Sequence, residues 1–103
     1  MLPLVVGIEG EALTAREREL FSRLQPAGYI LFSRNIADHE LTRELTDDLR
    51  RLTRGADAPI VAIDQEGGRV VRTAAIGVQM PSAAALAAPG SQLTIRKAYE
   101  QLR

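Results

Sequence analysis

The stretch Ile60–Arg72, "IVAIDQEGGRVVR", runs from a short apolar segment directly into acids, an amide, two glycines and two arginines. A continuous apolar run such as Pro59–Ile63 is typical of a strand buried on both faces of a parallel sheet. Polar side chains that come directly after such a strand mark the sheet edge at which α/β proteins bind ligands. The segment therefore predicts both a parallel sheet and a polar pocket wall.

Two further apolar runs precede this stretch and predict two more strands. Leu2–Ile8 is rich in β-branched residues and ends in the polar "EGE", and Tyr29–Phe32 ends in the polar cluster "SRN". Runs of this length, bounded by polar or turn residues, are typical of strands.

The segments between the strands carry helix signals. Thr14–Glu17, "TARE", has the spacing of a capping box and predicts the start of a first helix, which Pro26 and Gly28 are expected to stop. Asp38 is the expected N-cap of a second helix, so His39 falls at a solvated helix start. Apolar residues recur at helical spacing in both helices: Leu20, Phe21 and Leu24, then Leu41, Leu45, Leu49 and Leu52. The order β-α-β-α-β predicts an α/β protein.

The regular patterns lapse after the third strand. The segment Asp64–Pro81 predicts a long loop, and a loop of that length in a compact domain is more often functional or disordered than idle. The alanine-rich "SAAALAAPG" predicts a short helix before Pro89. Ser91–Arg103 has one apolar helical face and predicts a last helix, which stops without a capping residue.

Parallel strands joined by crossing helices place all their C-terminal ends on one edge of the sheet. Polar residues from three distant parts of the chain should therefore converge there, and Gly67 and Gly68 should let the backbone turn sharply or approach a ligand. The residues expected at this edge are Glu9, Arg34, Asn35, Asp64, Gln65 and Glu66.

The composition excludes several classes of partner. Thirteen basic residues balance thirteen acidic ones, so no bulk charge is available to hold nucleic acid or an anionic membrane. The chain has no cysteine, which excludes disulfides and thiolate metal sites. The N-terminal "MLPLVVGIEGE" has no basic region and only a short apolar run, so we expect neither a signal peptide nor a membrane span, and a cytoplasmic location.

Three motifs together carry a family resemblance. "AGYILFSRN", "IVAIDQEGGRVVR" and "MPSAAALAA" resemble the N-terminal part of bacterial β-N-acetylhexosaminidases of glycoside hydrolase family three, over about Ile8–Ala88. The resemblance implies that residues 1–103 are the first three βα units of an incomplete (β/α)₈ catalytic barrel. It also implies a retaining enzyme without cofactor or metal, which removes terminal N-acetyl-β-D-glucosamine from cell-wall fragments (muropeptides) during peptidoglycan recycling in the cytoplasm.

The same resemblance assigns two substrate-binding residues. Asp64 corresponds to an aspartate that hydrogen-bonds hydroxyls of the terminal sugar, and Arg72 to an arginine of the substrate-binding set. The family's nucleophilic aspartate and its acid/base histidine lie further along a full-length chain, so no catalytic residue is expected here. A catalytic role for the carboxylates of Glu9 and Glu66 is accordingly disfavoured.

Other interpretations of these residues remain open. Asp64 could cap a turn or pair with Arg69, and Arg34 and Asn35 could brace neighbouring loops. The chain could also be a small non-enzymatic α/β module whose "EGGR" cradles a phosphate or binds a sugar, although no Walker or dinucleotide glycine spacing is present. A third interpretation is a truncated product with no activity of its own.

Overall fold

The computed structural model describes residues 1–77, 82–88, 96–97 and 100. The predicted order of strands and helices is confirmed, and two short strands and a short helix follow it. The elements are β1 (Leu2–Gly7), α1 (Ala15–Leu24), β2 (Pro26–Leu31), a 3₁₀ turn (Ser33–Asn35), α2 (His39–Leu52), β3 (Ile60–Ile63), β4 (Gln65–Gly67), β5 (Val70–Val71) and α3 (Ala83–Ala87).

The first three strands form one parallel sheet with β2 in the middle. Tyr29 is paired with Val6 on one side and with Val61 on the other. Because all three strands run in the same direction, their C-terminal ends share one edge, as predicted. We call that edge the C-terminal rim.

The start of α1 is fixed by the predicted capping box. The Thr14 hydroxyl accepts a hydrogen bond from the Glu17 amide at 3.1 Å, and the Glu17 carboxylate accepts one from the Thr14 amide at 3.0 Å. The second oxygen of that carboxylate accepts from the Glu9 amide at 3.0 Å. Glu17 therefore also ties the helix start to the segment that leaves β1.

The helix α1 ends directly before Pro26, as predicted. The next strand, β2, already begins at Pro26 instead of the predicted Tyr29, and the C-cap of the helix, Gln25, has a left-handed φ of 51°. The Gln25 side chain offsets that conformation: its amide donates to the carbonyl oxygen of Leu52 at 2.9 Å, and its oxygen accepts from the Arg54 amide at 2.8 Å. The end of α1 is thereby joined to the end of α2.

The second helix begins as predicted, with the Asp38 carboxylate accepting from the Leu41 amide at 2.8 Å. His39 is its first residue and is exposed, as expected. The core contains Leu45 and Leu49 of this helix, packed with five other buried side chains: Ile8, Leu13, Phe21, Tyr29 and Leu31. The predicted apolar faces are therefore only partly buried, since Leu20, Leu24 and Leu41 remain exposed.

The prediction that β3 is buried on both faces is wrong. Ile60 is 63% exposed and the other three residues of the strand are only partly buried, because β3 is an edge strand of the described sheet. The opposite edge strand, β1, likewise exposes Leu4 and Val5. Both edge strands of the described sheet therefore carry exposed apolar residues.

The predicted loop Asp64–Pro81 contains regular structure. Gln65–Gly67 and Val70–Val71 pair as an antiparallel hairpin, β4–β5, with a register irregularity between Gln65 and Gly67. The predicted alanine-rich helix is confirmed as α3, capped by the Ser82 hydroxyl. The helix predicted over Ser91–Arg103 lies largely outside the described residues.

Candidate functional site at the C-terminal rim

The C-terminal rim receives polar side chains from all three strands, as predicted. Glu9 follows β1, Arg34 and Asn35 follow β2, and Asp64 and Gln65 follow β3. The sheet thus brings together residues that lie 55 positions apart in the sequence. What each side chain does there depends on its burial and its partners.

Asn35 braces the rim from inside. Its side chain is 1% exposed, and its amide donates to the carbonyl oxygens of Ile8 at 2.9 Å and Gly10 at 2.7 Å. Its oxygen accepts from the Phe32 amide at 2.8 Å. All the hydrogen-bonding groups of this buried amide are therefore directed to backbone of the loops that follow β1 and β2, which confirms the bracing interpretation for Asn35.

Arg34 shares the brace and adds a second contact. Its Nε donates to the same carbonyl oxygen of Ile8 at 3.0 Å, and its guanidinium carbon lies 4.9 Å from the centre of the Phe32 ring. The guanidinium carbon of Arg72 lies 5.6 Å from the centre of that ring. Both distances are within the range of a cation–π interaction. One aromatic ring at the end of β2 thus contacts arginines from two different segments.

Gln65 holds the backbone of the segment that carries Arg72. Its side-chain oxygen accepts from the Arg72 amide at 3.0 Å and, more weakly, from the Thr73 amide at 3.4 Å. Gly67 is the last residue of β4 and Gly68 begins the two-residue turn Gly68–Arg69, with φ values of 79° and 58° respectively. These left-handed values favour glycine over residues with a Cβ, so the hairpin alone accounts for the glycine pair.

The acids of the rim face solvent. Glu9, Asp64 and Glu66 are exposed, and within the described ranges no ion pair joins Asp64 to Arg69. An open cavity of about 470 Å³ lies beside the hairpin; its lining comprises Glu66, Gly67, Gly68, Arg69, Val70 and Ser82. Asp64 is therefore available to a ligand as a hydrogen-bond acceptor, and Arg69 is one wall of a separate depression.

The described residues provide no cluster of three His, Cys, Asp or Glu side chains that could hold a metal ion. In the same part of the chain, none of the helices has the length and apolar character needed to cross a bilayer. What the rim offers is carboxylate acceptors and guanidinium donors next to an aromatic ring, a set that suits hydroxyl-rich ligands.

The sequence placed Gln65 at this edge but did not predict its hydrogen bonds, and it did not identify Phe32 as part of the site. For Phe32 the sequence offers only its position, between the apolar run of β2 and the polar cluster Ser33–Asn35. The hydrogen bonds of Gln65 had no local signal, because their backbone partners are seven and eight residues away and depend on the hairpin.

Comparison with known proteins identifies what the chain is similar to. The β-hexosaminidase of Alkalilimnicola ehrlichii is 42% identical over 86 residues, which is 84% of this chain and 24% of that protein. Because so few residues of this chain lie outside the alignment, the aligned part includes the whole segment from Phe32 to Arg72. The chain resembles the N-terminal part of bacterial β-hexosaminidases of glycoside hydrolase family three.

Solved structures agree with this resemblance. A glycoside hydrolase family three β-N-acetylglucosaminidase from a Paenibacillus strain superposes with a TM-score of 0.82 at 27% identity, over 95% of this chain and 19% of that one. NagZ from Neisseria gonorrhoeae, in complex with N-trifluoroacetyl-D-glucosamine, gives 0.79 at 28% identity, over 90% of this chain and 28% of that one. No protein-family model matches the chain. The chain spans about a quarter of the length of the curated relative and less than a third of either solved structure.

Proposed function

We propose that this chain forms the first three βα units of a (β/α)₈ barrel in a β-N-acetylglucosaminidase of glycoside hydrolase family three. The observation that carries the proposal is the alignment with a β-hexosaminidase across the entire rim segment, together with the convergence of that segment at one sheet edge. The exposed apolar residues on both edge strands support it, because further barrel strands would cover them.

In this proposal Asp64 and Arg72 bind the terminal sugar. An ionised carboxylate accepts hydrogen bonds from two sugar hydroxyls at once, and a guanidinium donates in a fixed, planar fork. Asp64 is exposed directly after β3, and the backbone of Arg72 is held in place by Gln65. The Asp64 carboxylate is thus exposed and can accept hydrogen bonds from the sugar. The Arg72 backbone is held in place, so its guanidinium can donate from a fixed position.

The reaction proposed for the complete enzyme is hydrolysis of terminal N-acetyl-β-D-glucosamine with retention of anomeric configuration. It requires no metal or organic cofactor in this proposal. The substrates are N-acetylglucosamine-containing cell-wall fragments (muropeptides), processed in the cytoplasm during peptidoglycan recycling. The nucleophile and the acid/base are contributed by the remainder of the enzyme, because the motifs that match here are those of sugar binding.

A chimera tests the proposal directly. Residues 1–88 of this chain replace the matching segment of the A. ehrlichii β-hexosaminidase, and release of the aglycone from an aryl N-acetyl-β-D-glucosaminide is measured. We expect turnover, with a product that first appears as the β-anomer by NMR. A folded chimera without turnover, or with an inverted product, would contradict the proposal.

The role of Asp64 is tested in the same chimera. Loss of a charged acceptor at the sugar should cost on the order of 1.5–3 kcal/mol in kcat/KM, or roughly 10- to 150-fold, with the circular dichroism spectrum unchanged. Asp57→Ala is the matched control, because Asp57 is an exposed aspartate that precedes β3 and so lies at the opposite end of the strand. Equal kinetics for Asp64→Ala and Asp57→Ala would rule out sugar binding by Asp64.

The 103-residue chain by itself should not hydrolyse glycosides. Residues that only contact the sugar supply neither proton transfer nor the covalent step of a retaining mechanism. The measurement is aryl glycosidase activity of the purified chain, with Asp64→Ala as the control for contaminating enzyme. Turnover that Asp64→Ala abolishes would overturn this expectation.

A further inference from the structure

The Phe32 ring is the point at which the three strand ends meet. Arg34, which is anchored on the Ile8 carbonyl oxygen beyond β1, lies over the ring at 4.9 Å. Arg72, which belongs to the segment beyond β3, lies over it at 5.6 Å. Phe32 itself follows β2, and its amide is held by Asn35. A chain of contacts thus runs from β1 through the ring to Arg72.

Arg72 has a second feature that calls for an explanation. Its Nε is buried, and among the described residues no oxygen accepts a hydrogen bond from it. A buried N–H group without an acceptor is destabilising, whereas the face of an aromatic ring is electron-rich and accepts both cations and weak N–H contacts. The Phe32 ring is the described group that can serve the Arg72 guanidinium in this way.

We propose that Phe32 is a positioning residue that orients the guanidinium of Arg72 at the rim. The Gln65 side chain fixes the Arg72 backbone, and the Phe32 ring fixes the other end of the side chain. In the proposed orientation the Nε of Arg72 faces the ring, and its Nη donors remain available to a ligand. The consequence for sugar binding rests on the proposed function, whereas the orientation of Arg72 does not.

The chemical requirement is a ring and not merely an apolar side chain. Leucine would fill a similar space at position 32 but offers no quadrupole to a guanidinium, whereas tyrosine retains the ring. At a partly exposed site the cation–π contact corresponds to about a two- to fivefold effect on an equilibrium that requires the oriented arginine. Phe32→Leu and Phe32→Tyr therefore separate orientation from packing.

The first test uses NMR of arginine side chains in the 103-residue chain at low temperature, with the Arg72 Nε–Hε signal identified by its loss in Arg72→Lys. We expect this proton upfield of free arginine, because it lies against the ring, with a nuclear Overhauser contact to the Phe32 ring protons. In Phe32→Leu it should move downfield and exchange faster with water, and in Phe32→Tyr it should remain upfield. The absence of the contact in the unsubstituted chain, or an unmoved signal in Phe32→Leu, overturns the proposal.

The second test measures N-acetylglucosamine binding by titration of the same proteins. Phe32→Leu should weaken binding about two- to fivefold, and Phe32→Tyr should restore it. Equal affinity of Phe32→Leu and the unsubstituted chain would contradict a role of the ring in ligand binding. If no variant binds the sugar while the Arg72 signal responds to Phe32 as expected, the orientation stands and the proposed sugar-binding function of Arg72 fails.

Discussion

Replacing Asn35 by alanine should destabilise the sheet from its C-terminal rim. The substitution removes three hydrogen bonds of 2.7–2.9 Å to backbone groups from a side chain that is 1% exposed. The Ile8 carbonyl oxygen keeps its bond from Arg34, but the Phe32 amide and the Gly10 carbonyl oxygen lose theirs. At about 1 kcal/mol for each bond, the free energy of unfolding should fall by roughly 2–4 kcal/mol.

Urea denaturation followed by circular dichroism measures this loss, with an excluded osmolyte such as trimethylamine oxide in every sample to secure a folded baseline. Ser33→Ala is the matched control, because Ser33 is exposed two residues earlier and its hydroxyl makes no hydrogen bond within the described ranges. The control should stay within about 0.5 kcal/mol of the unsubstituted chain. A loss below about 1 kcal/mol for Asn35→Ala would refute the inference that the three bonds hold the rim together.

Two further substitutions test the sheet and the helix pair. Gly28→Ala should lower the free energy of unfolding by about 1–3 kcal/mol in the same urea assay, because the added Cβ would lie 2.8 Å from the Ile60 carbonyl oxygen of β3; unchanged stability would contradict that close approach. The Arg18 side chain, by its hydrogen bond, holds the pKa of the Asp48 carboxyl below its usual 3.8. A carboxyl whose pKa is lower in the folded state stabilises the fold above its unfolded-state pKa and loses that contribution as the pH falls through the folded-state pKa. The free energy of unfolding should therefore decline below about pH 4 less steeply in Asp48→Asn than in the unsubstituted chain. Urea midpoints measured across pH test this, and identical pH profiles would refute the coupling between Arg18 and Asp48.

The features that the sequence predicted are those set by local chemistry. The capping box at Thr14 and the cap at Asp38 each join residues three apart. Their short sequence signatures therefore predict the capping hydrogen bonds directly. The third strand was recognised because it is apolar throughout, and parallel topology then placed Asp64 at the rim. Its burial was predicted wrongly, since burial depends on neighbouring strands that the described sheet does not contain.

The features that the sequence did not predict depend on partners distant in the chain. Gln25, the C-cap of α1, has a left-handed conformation that is normally taken by glycine or asparagine. Its side chain is stabilised there by hydrogen bonds to backbone groups at the end of α2. Strands of two and three residues, such as β4 and β5, are too short to show periodicity. The contact between Phe32 and Arg72 joins residues forty positions apart.

The distribution of charge partners explains why so many ionisable residues follow β3. The ion pairs of the described residues all lie on the two long helices: Arg18–Asp48, Arg50–Asp47 and Arg51–Asp48. The rim is held instead by the neutral amides of Asn35 and Gln65 and by an aromatic ring. The exposed rim carboxylates, which are not engaged in these ion pairs, retain their hydrogen-bonding capacity beside loops whose backbone is held by these amides. A polar ligand that meets such an edge gains its hydrogen bonds without first breaking internal ones, which lowers the free-energy cost of binding.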